Sequence, residues 1–164
     1  MFPNQKSRMV SEQDVKNMSP EELLALQKKN CIFCKIAKKE IPSNVVYEDD
    51  LIIGILDIHP ANEGHVLLMP KEHYPVFPQI PKNVVDRIAV VVKKLNDFYI
   101  KVLKAKGVSS YVEIGQVAGQ KIFHSFIHVI PITANKVLQT SYVDNKKDDV
   151  IKLINTFRKV LNYK

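Results

Sequence analysis

Cysteine, long apolar segments and an N-terminal signal are all scarce or missing in this chain of 164 residues. Two cysteines cannot build a scaffold of several disulfides. The longest apolar segments, 51–56 and 88–92, fall far short of the ~20 residues that a transmembrane helix needs. The first seven residues lack the apolar centre of a secretory signal, which favours a cytoplasmic location.

Long runs of basic residues are also missing, although the formal net charge is +7. The positive charge weakly favours anionic partners such as nucleotides, RNA or acidic proteins. The lysines are dispersed, however, and those expected on one long helix fit a solvated face better than a nucleic-acid footprint. With 46% hydrophobic and 25% charged residues, the composition is that of an ordinary globular protein.

The order of the predicted elements indicates one α+β domain. Residues 1–18 are polar and lack periodicity, which predicts a mobile arm, and the domain would occupy 19–164 with its core in 31–132. Ser19, Pro20 and Glu22 are typical of a helix start with a capping box.

Apolar patterning predicts about five antiparallel strands, one long helix on one face of the sheet, and extra helices at both termini. A nearly continuous apolar strand at 51–57 would be central and buried on both faces. The predicted strands are 45–48, 51–57, 65–69, 108–114 and 121–132, and the predicted helices include 82–106 and 148–161.

Two of the five histidines lie on the last predicted strand. Because side chains alternate along a strand, His124, Phe126 and His128 would project from one face, whereas Ser125 would project from the other. Histidines clustered in this way favour a functional site over isolated surface residues.

The two cysteines, Cys31 and Cys34, form a C-x-x-C pair. Together with His73 and His124 they could form a closed, tetrahedral and therefore structural zinc site. The spacing alone fits two buried free cysteines and two unrelated histidines equally well.

Several segments, in this order, resemble the histidine triad (HIT) family. They are the C-x-x-C pair, Leu56-Asp57-Ile58, the segment Gly-His-Val-Leu-Leu-Met-Pro-Lys at 64–71, and Gly119-Gln120 followed by His124 and His128. The similarity covers about 31–132. It implies a homodimer, joined through 82–106 and 108–114, that binds a purine nucleotide such as AMP. It also implies cleavage of phosphoramidates, nucleotidyl esters or dinucleoside polyphosphates.

The resemblance also assigns roles to residues. It favours zinc bound by Cys31, Cys34, His73 and His124. Apolar side chains would hold the base, Asp57 the ribose hydroxyls, and the glycine loop and histidines the phosphate. The nucleotide-binding residues implied are Phe33, Ile36, Asp57, Ile58, His65, Gly119, Gln120, Lys121 and His128.

Phe126 stands where the family has the histidine that attacks phosphorus. A phenyl ring has no lone pair, so nucleophilic catalysis cannot run through it. Glu113 and Lys121 also depart from the family pattern: Glu113 would repel a phosphate and Lys121 would attract one. Ile132 replaces a residue that is often basic.

Three functions follow from this reading. The first is a purine nucleotide-binding protein without the usual nucleotidyl-histidine chemistry. The second is an active hydrolase or transferase that uses another residue, such as His128. The third is a zinc-stabilised protein- or RNA-binding module. His59, in the loop after Asp57, fits a solvated loop residue better than a catalytic one.

Overall fold

A computed structural model describes residues 17–132. Most of the predicted arm and the whole predicted helix 148–161 lie outside the described residues. The helices are α1 (Pro20–Asn30), α2 (Ile32–Ala37) and α3 (Lys82–Lys101), and the strands are β1 (Val45–Glu48), β2 (Ile52–Leu56), β3 (Val66–Pro70), β4 (Gly107–Tyr111) and β5 (Ile127–Ile132).

The five strands form one antiparallel sheet in the order β1-β2-β3-β5-β4. The predicted α+β class, with five antiparallel strands and one long helix, is confirmed. Strand β2 lies inside the sheet and its first four residues are buried, as the continuous apolar pattern predicts.

Successive side chains of β2 and β3 point to opposite faces of the sheet, so these strands contribute to two apolar layers, one on each face. Ile52 and Leu68 pack with Ile88 and Val91 of α3. A second cluster contains the sheet residues Ile53, Ile55, Leu67 and Met69. It also contains residues of α2 and the cysteine just before it, namely Cys31, Phe33, Cys34, Ile36 and Ala37. The short helix α2 is therefore held against the face of the sheet opposite α3.

The capping box of α1 is present. The Glu22 amide donates to Ser19 Oγ at 3.2 Å, and the Ser19 amide donates to Glu22 Oε2 at 2.8 Å. These reciprocal bonds satisfy two amides that a helix start would otherwise leave without partners.

The predicted end of the long helix is wrong by five residues, since α3 stops at Lys101. Beyond it, Lys104 adopts a positive φ of 56° and the Lys106 amide donates to the Ile132 carbonyl at 2.8 Å. The chain reverses there because β4 must pair with β5.

The last two predicted strands are shorter than expected. Strand β4 ends at Tyr111, and β5 begins at Ile127 rather than near Lys121. The Ser125 amide donates to the Tyr74 carbonyl, not to a neighbouring strand. His124 and Phe126 therefore precede β5 and are placed by an irregular segment.

No helix within 17–132 is long and apolar enough to cross a membrane.

Candidate functional site

Four predicted metal ligands, Cys31, Cys34, His73 and His124, converge at the start of α2 and form what we call the metal cluster. All four are buried, and their donor atoms lie within 4.8 Å of one another. His124 Nδ1 is 3.4 Å from Cys31 Sγ and 3.6 Å from Cys34 Sγ, and His73 Nδ1 is 3.2 Å from Cys34 Sγ. Tetrahedral zinc with ordinary bond lengths would separate sulfur and nitrogen ligands by about 3.5 Å.

The surroundings of His124 also suit a metal ligand. Its Nε2 lies 2.9 Å from the Pro70 carbonyl. A carbonyl only accepts, so Nε2 carries the proton and the lone pair of Nδ1 faces the cysteines. Burial lowers the pKa of His124 to about 4, which keeps its imidazole in the neutral form that binds metals. The donor set and its geometry therefore fit zinc.

A second feature is a cleft of about 630 Å³ beside α2 and the end of β2. Its apolar end is formed by side chains of α2, the segment after it, and the sheet. Its polar end carries Asp57, His59, Glu113, Lys121 and His128. The apolar lining includes Ile32, Phe33, Ile36, Ile41, Ile55, Leu67, Ile122 and Phe126.

Asp57, His65 and His128 lie one after another behind the polar end, with a hydrogen bond between the two histidines. Asp57 Oδ2 lies 3.3 Å from His65 Nδ1, and His65 Nε2 lies 2.9 Å from His128 Nδ1. The Ala61 amide also donates to His65 Nδ1 at 3.2 Å. Since Nδ1 accepts that bond, His65 Nε2 carries the proton and donates to His128. Burial lowers the pKa of both histidines.

His128 reaches the cleft from β5, and His59 lines it from the loop after β2. The Nε2 of His128 is buried and has no hydrogen-bond partner among residues 17–132. The ring stacks on Tyr111, its register partner on β4, with centroids 4.6 Å apart. The imidazole is thus held by Tyr111 and His65, and its Nε2, which carries the proton when Nδ1 accepts from His65, has no partner within 17–132.

Phe126 lies between the cleft's aromatic groups. Its ring centroid is 4.9 Å from that of His128 and 5.1 Å from that of Phe33. Phe33 in turn makes an edge contact with His124, at 5.8 Å. Phe33 therefore touches both the metal cluster and the cleft.

The glycine loop, residues 115–120, contributes Gly119 but not the Gln120 side chain to the cleft. Gln120 is buried, and its amide donates to the Pro75 and Ile122 carbonyls while its oxygen accepts from the Gly115 amide. It holds the loop together and does not line the cleft. Gly119 lines it with a φ of 101°, which a side chain would strain.

Of the other predicted nucleotide-binding residues, those lining the cleft are Phe33, Ile36, Asp57, Ile58, Lys121 and His128. His65 stands behind His128 instead. Tyr111 was missed by the sequence reading. Its position opposite His128 on a neighbouring strand would have shown the contact had the register been known.

The model of the HIT domain family matches residues 38–135, and the chain belongs to this family. The adenylylsulfatase of Arabidopsis thaliana is 39% identical over 102 residues, covering 62% of this chain and 52% of that protein. The adenosine 5′-monophosphoramidase of Candida albicans is 39% identical over 110 residues, covering 62% of this chain and 70% of that protein.

A zinc-bound histidine triad family protein from Mycobacterium smegmatis has a similar structure. The match has a TM-score of 0.63 and 29% sequence identity, and it covers 82% of this chain and 97% of that one. Two relatives in this family are thus named for activity on adenylyl compounds, and one structural neighbour binds zinc.

Proposed function

We propose that the cleft binds a purine nucleotide such as AMP and that the protein lacks the usual nucleotidyl-histidine chemistry. The observation that carries this proposal is the cleft itself. A flat apolar end adjoins a polar end, and Phe126, not a basic side chain, lies beside His128. Small-molecule sites are typically apolar with a few placed polar groups.

The apolar end suits a purine base. Phe33 and Ile36 are buried in the sheet-facing layer, so their positions are fixed before a ligand arrives. Ile58 is 81% exposed at the same cleft, which leaves it free to cover a base from the other side. Burial of these surfaces would supply the main attraction for the ring.

Asp57 suits the ribose. One carboxylate oxygen accepts from the His59 amide at 2.9 Å, and the side chain remains 16% exposed. A carboxylate oriented in this way can accept hydrogen bonds from the two ribose hydroxyls. The names of the two curated relatives, which specify adenylyl compounds, support adenosine as the nucleoside.

The binding proposal is tested by titration calorimetry with AMP and adenosine. We expect dissociation constants in the micromolar to millimolar range for the wild type and a loss of about tenfold in Asp57→Asn, which removes a charge-assisted acceptor. Asp86→Asn on α3 is the matched control, since α3 does not line the cleft. Absence of adenosine and AMP binding would refute the proposal.

A second candidate function is hydrolysis that uses His128. His65 donates to Nδ1, so the neutral ring carries its own proton on Nε2, and this partnerless group could donate to a phosphate oxygen or a leaving group. The Phe126 and His128 ring centroids are 4.9 Å apart, so a ligand shifted by about that distance would bring its phosphate to this nitrogen. Slow AMP release that disappears in His128→Ala would support it, and release unchanged in that variant would eliminate it.

We further propose that the metal cluster holds a structural zinc ion. When bound, zinc would compensate two thiolates and cross-link α2 to the segments that follow β3 and precede β5. The sulfur–nitrogen distances and the oriented His124 support this assignment. One zinc per chain in protein purified without chelator is the expected result.

A homodimer is the state we propose for the assembled protein. Strand β4 lies at an edge of the sheet, and large apolar side chains on and after α3 are exposed, including Phe98, Ile100 and Val102. A light-scattering mass of one chain at micromolar concentration would refute it.

Strongly salt-dependent RNA binding without nucleotide binding would favour the third function, a zinc-stabilised protein- or RNA-binding module.

A further inference from the structure

Glu113 lies at the polar end of the cleft, between Gly119 and His128. A Cβ atom added to Gly119 would lie only 2.6 Å from Glu113 Oε1, so the carboxylate rests against the glycine backbone. Its other oxygen, Oε2, lies 3.9 Å from His128 Nε2. The approach to Gly119 that a phosphate would need is therefore already filled by an anionic side chain.

The groups around this carboxylate do little to offset its charge. His128, the group facing Glu113 Oε2, is itself packed against the Phe126 and Tyr111 rings, and burial lowers its pKa, which keeps that imidazole neutral near pH 7. No lysine or arginine of residues 17–132 lies within ion-pair distance of Glu113. Lys121 is exposed at the rim and is the cation nearest in sequence to the loop.

We propose that Glu113 is a specificity-determining residue that makes the cleft favour adenosine compounds with little or no negative charge at the 5′ position over 5′-monophosphates. The assignment rests on the proposed binding function and narrows its ligand class. AMP carries nearly two negative charges at pH 7.5, a 5′-phosphoramidate carries one, and adenosine carries none. Repulsion by a partly buried carboxylate grows with that charge.

The test is calorimetric titration of adenosine, adenosine 5′-phosphoramidate and AMP at pH 7.5 into wild type and Glu113→Gln. In the wild type we expect the phosphoramidate, which has one negative charge fewer, to bind about tenfold more tightly than AMP, and adenosine, which has nearly two fewer, to bind at least as tightly as the phosphoramidate. Glu113→Gln keeps the shape and removes the charge, so AMP affinity should rise about tenfold while adenosine affinity changes less than threefold.

Two further variants separate local from general charge effects. Asp97→Asn changes the net charge equally but lies on α3, away from the cleft lining, so it should leave the AMP-to-adenosine ratio unchanged. Lys121→Gln removes the cation at the rim and should weaken AMP binding further relative to adenosine binding. An equal rise in AMP affinity in Asp97→Asn would overturn the local assignment.

The outcomes distinguish this inference from the function on which it rests. If the adenosine compounds bind but wild type prefers AMP, and Glu113→Gln does not raise AMP affinity, the specificity assignment is wrong and nucleotide binding stands. If none of the three ligands binds any variant, the binding function fails and the specificity assignment falls with it.

Discussion

Phe33 contacts His124 of the metal cluster and Phe126 of the cleft, and these two regions differ in which chemical groups they contain. The cluster has four soft or borderline donors at distances that suit one zinc ion. The polar end keeps His128 and its support from His65, but Phe126 and Glu113 stand beside it. The groups suited to holding the fold are complete, whereas those suited to attacking phosphorus are not.

This difference separates groups that stabilise the fold from groups that serve catalysis. A buried metal site stabilises the folded state whatever the protein does, because binding free energy becomes folding free energy. A nucleophile serves only catalysis. The proposed loss of the nucleophile is compatible with a well-formed cleft, whose lining here includes Phe33 and Asp57.

Loss of the metal is expected to have the largest effect on stability. In Cys34→Ser, zinc content should fall from one ion per chain to nearly none. The free energy of unfolding should fall by about 4 kcal/mol if free zinc exceeds its dissociation constant a thousandfold. Thermal unfolding with parallel metal analysis measures both.

Chelated wild type is the control for that variant. It should unfold at nearly the same temperature as Cys34→Ser, and chelator should not lower the melting temperature of the variant further. A variant that unfolds like untreated wild type would contradict the structural role of zinc.

Truncation of Phe33 should affect both regions, with a somewhat smaller loss of stability. Phe33→Leu removes the edge contacts to His124 and Phe126, so we expect about 1.5 kcal/mol of destabilisation together with weaker adenosine binding. Denaturant unfolding and calorimetry report the two losses separately. Phe123→Leu, at a 42% exposed site outside the cleft lining, is the matched control and should change neither by much.

The smallest expected effect is a pH dependence from His65 and His128. Both pKa values are lowered by burial, so the unfolded chain binds more protons than the folded one. The stability that these histidines contribute is therefore complete above their unfolded pKa of about 6.5. It is lost as the pH falls from there towards the folded pKa values, by at most about 1.4 kcal/mol per pH unit for each histidine.

The measurement is denaturant unfolding between pH 7.5 and 5 on zinc-loaded wild type and on His65→Gln. The variant has one fewer buried histidine to protonate, so its curve should be flatter. Stability that rises as the pH falls from 6.5 would contradict the assigned direction in which burial moves these pKa values.

Much of the fold follows from the sequence because local pattern and tertiary packing agree there. Strands β1 to β3 lie within one residue of their predicted limits, and the capping box of α1 forms. The end of α3 could not be found in this way. Apolar residues continue at Val102 and Leu103, and only the pairing of β4 with β5 turns the chain there.

The site was predictable where residue chemistry decides and unpredictable where register decides. With two cysteines and five histidines in the chain, few soft or borderline ligands can be chosen, and the structure brings Cys31, Cys34, His73 and His124 together. The position of His65 behind His128 depends on how β3 meets β5, with Leu67 opposite His128. The inward turn of Gln120 depends on loop contacts that no pattern encodes.

The central claim is that the cleft binds its nucleotide but lacks a nucleophile, and restoring one is the most direct test. AMP release from adenosine 5′-phosphoramidate should be measured for wild type, Phe126→His and the control Phe123→His. We predict no turnover in wild type and the control, and a gain of at least about a hundredfold over background in Phe126→His. Wild-type turnover as fast as that of Phe126→His would contradict the account and direct attention to His128.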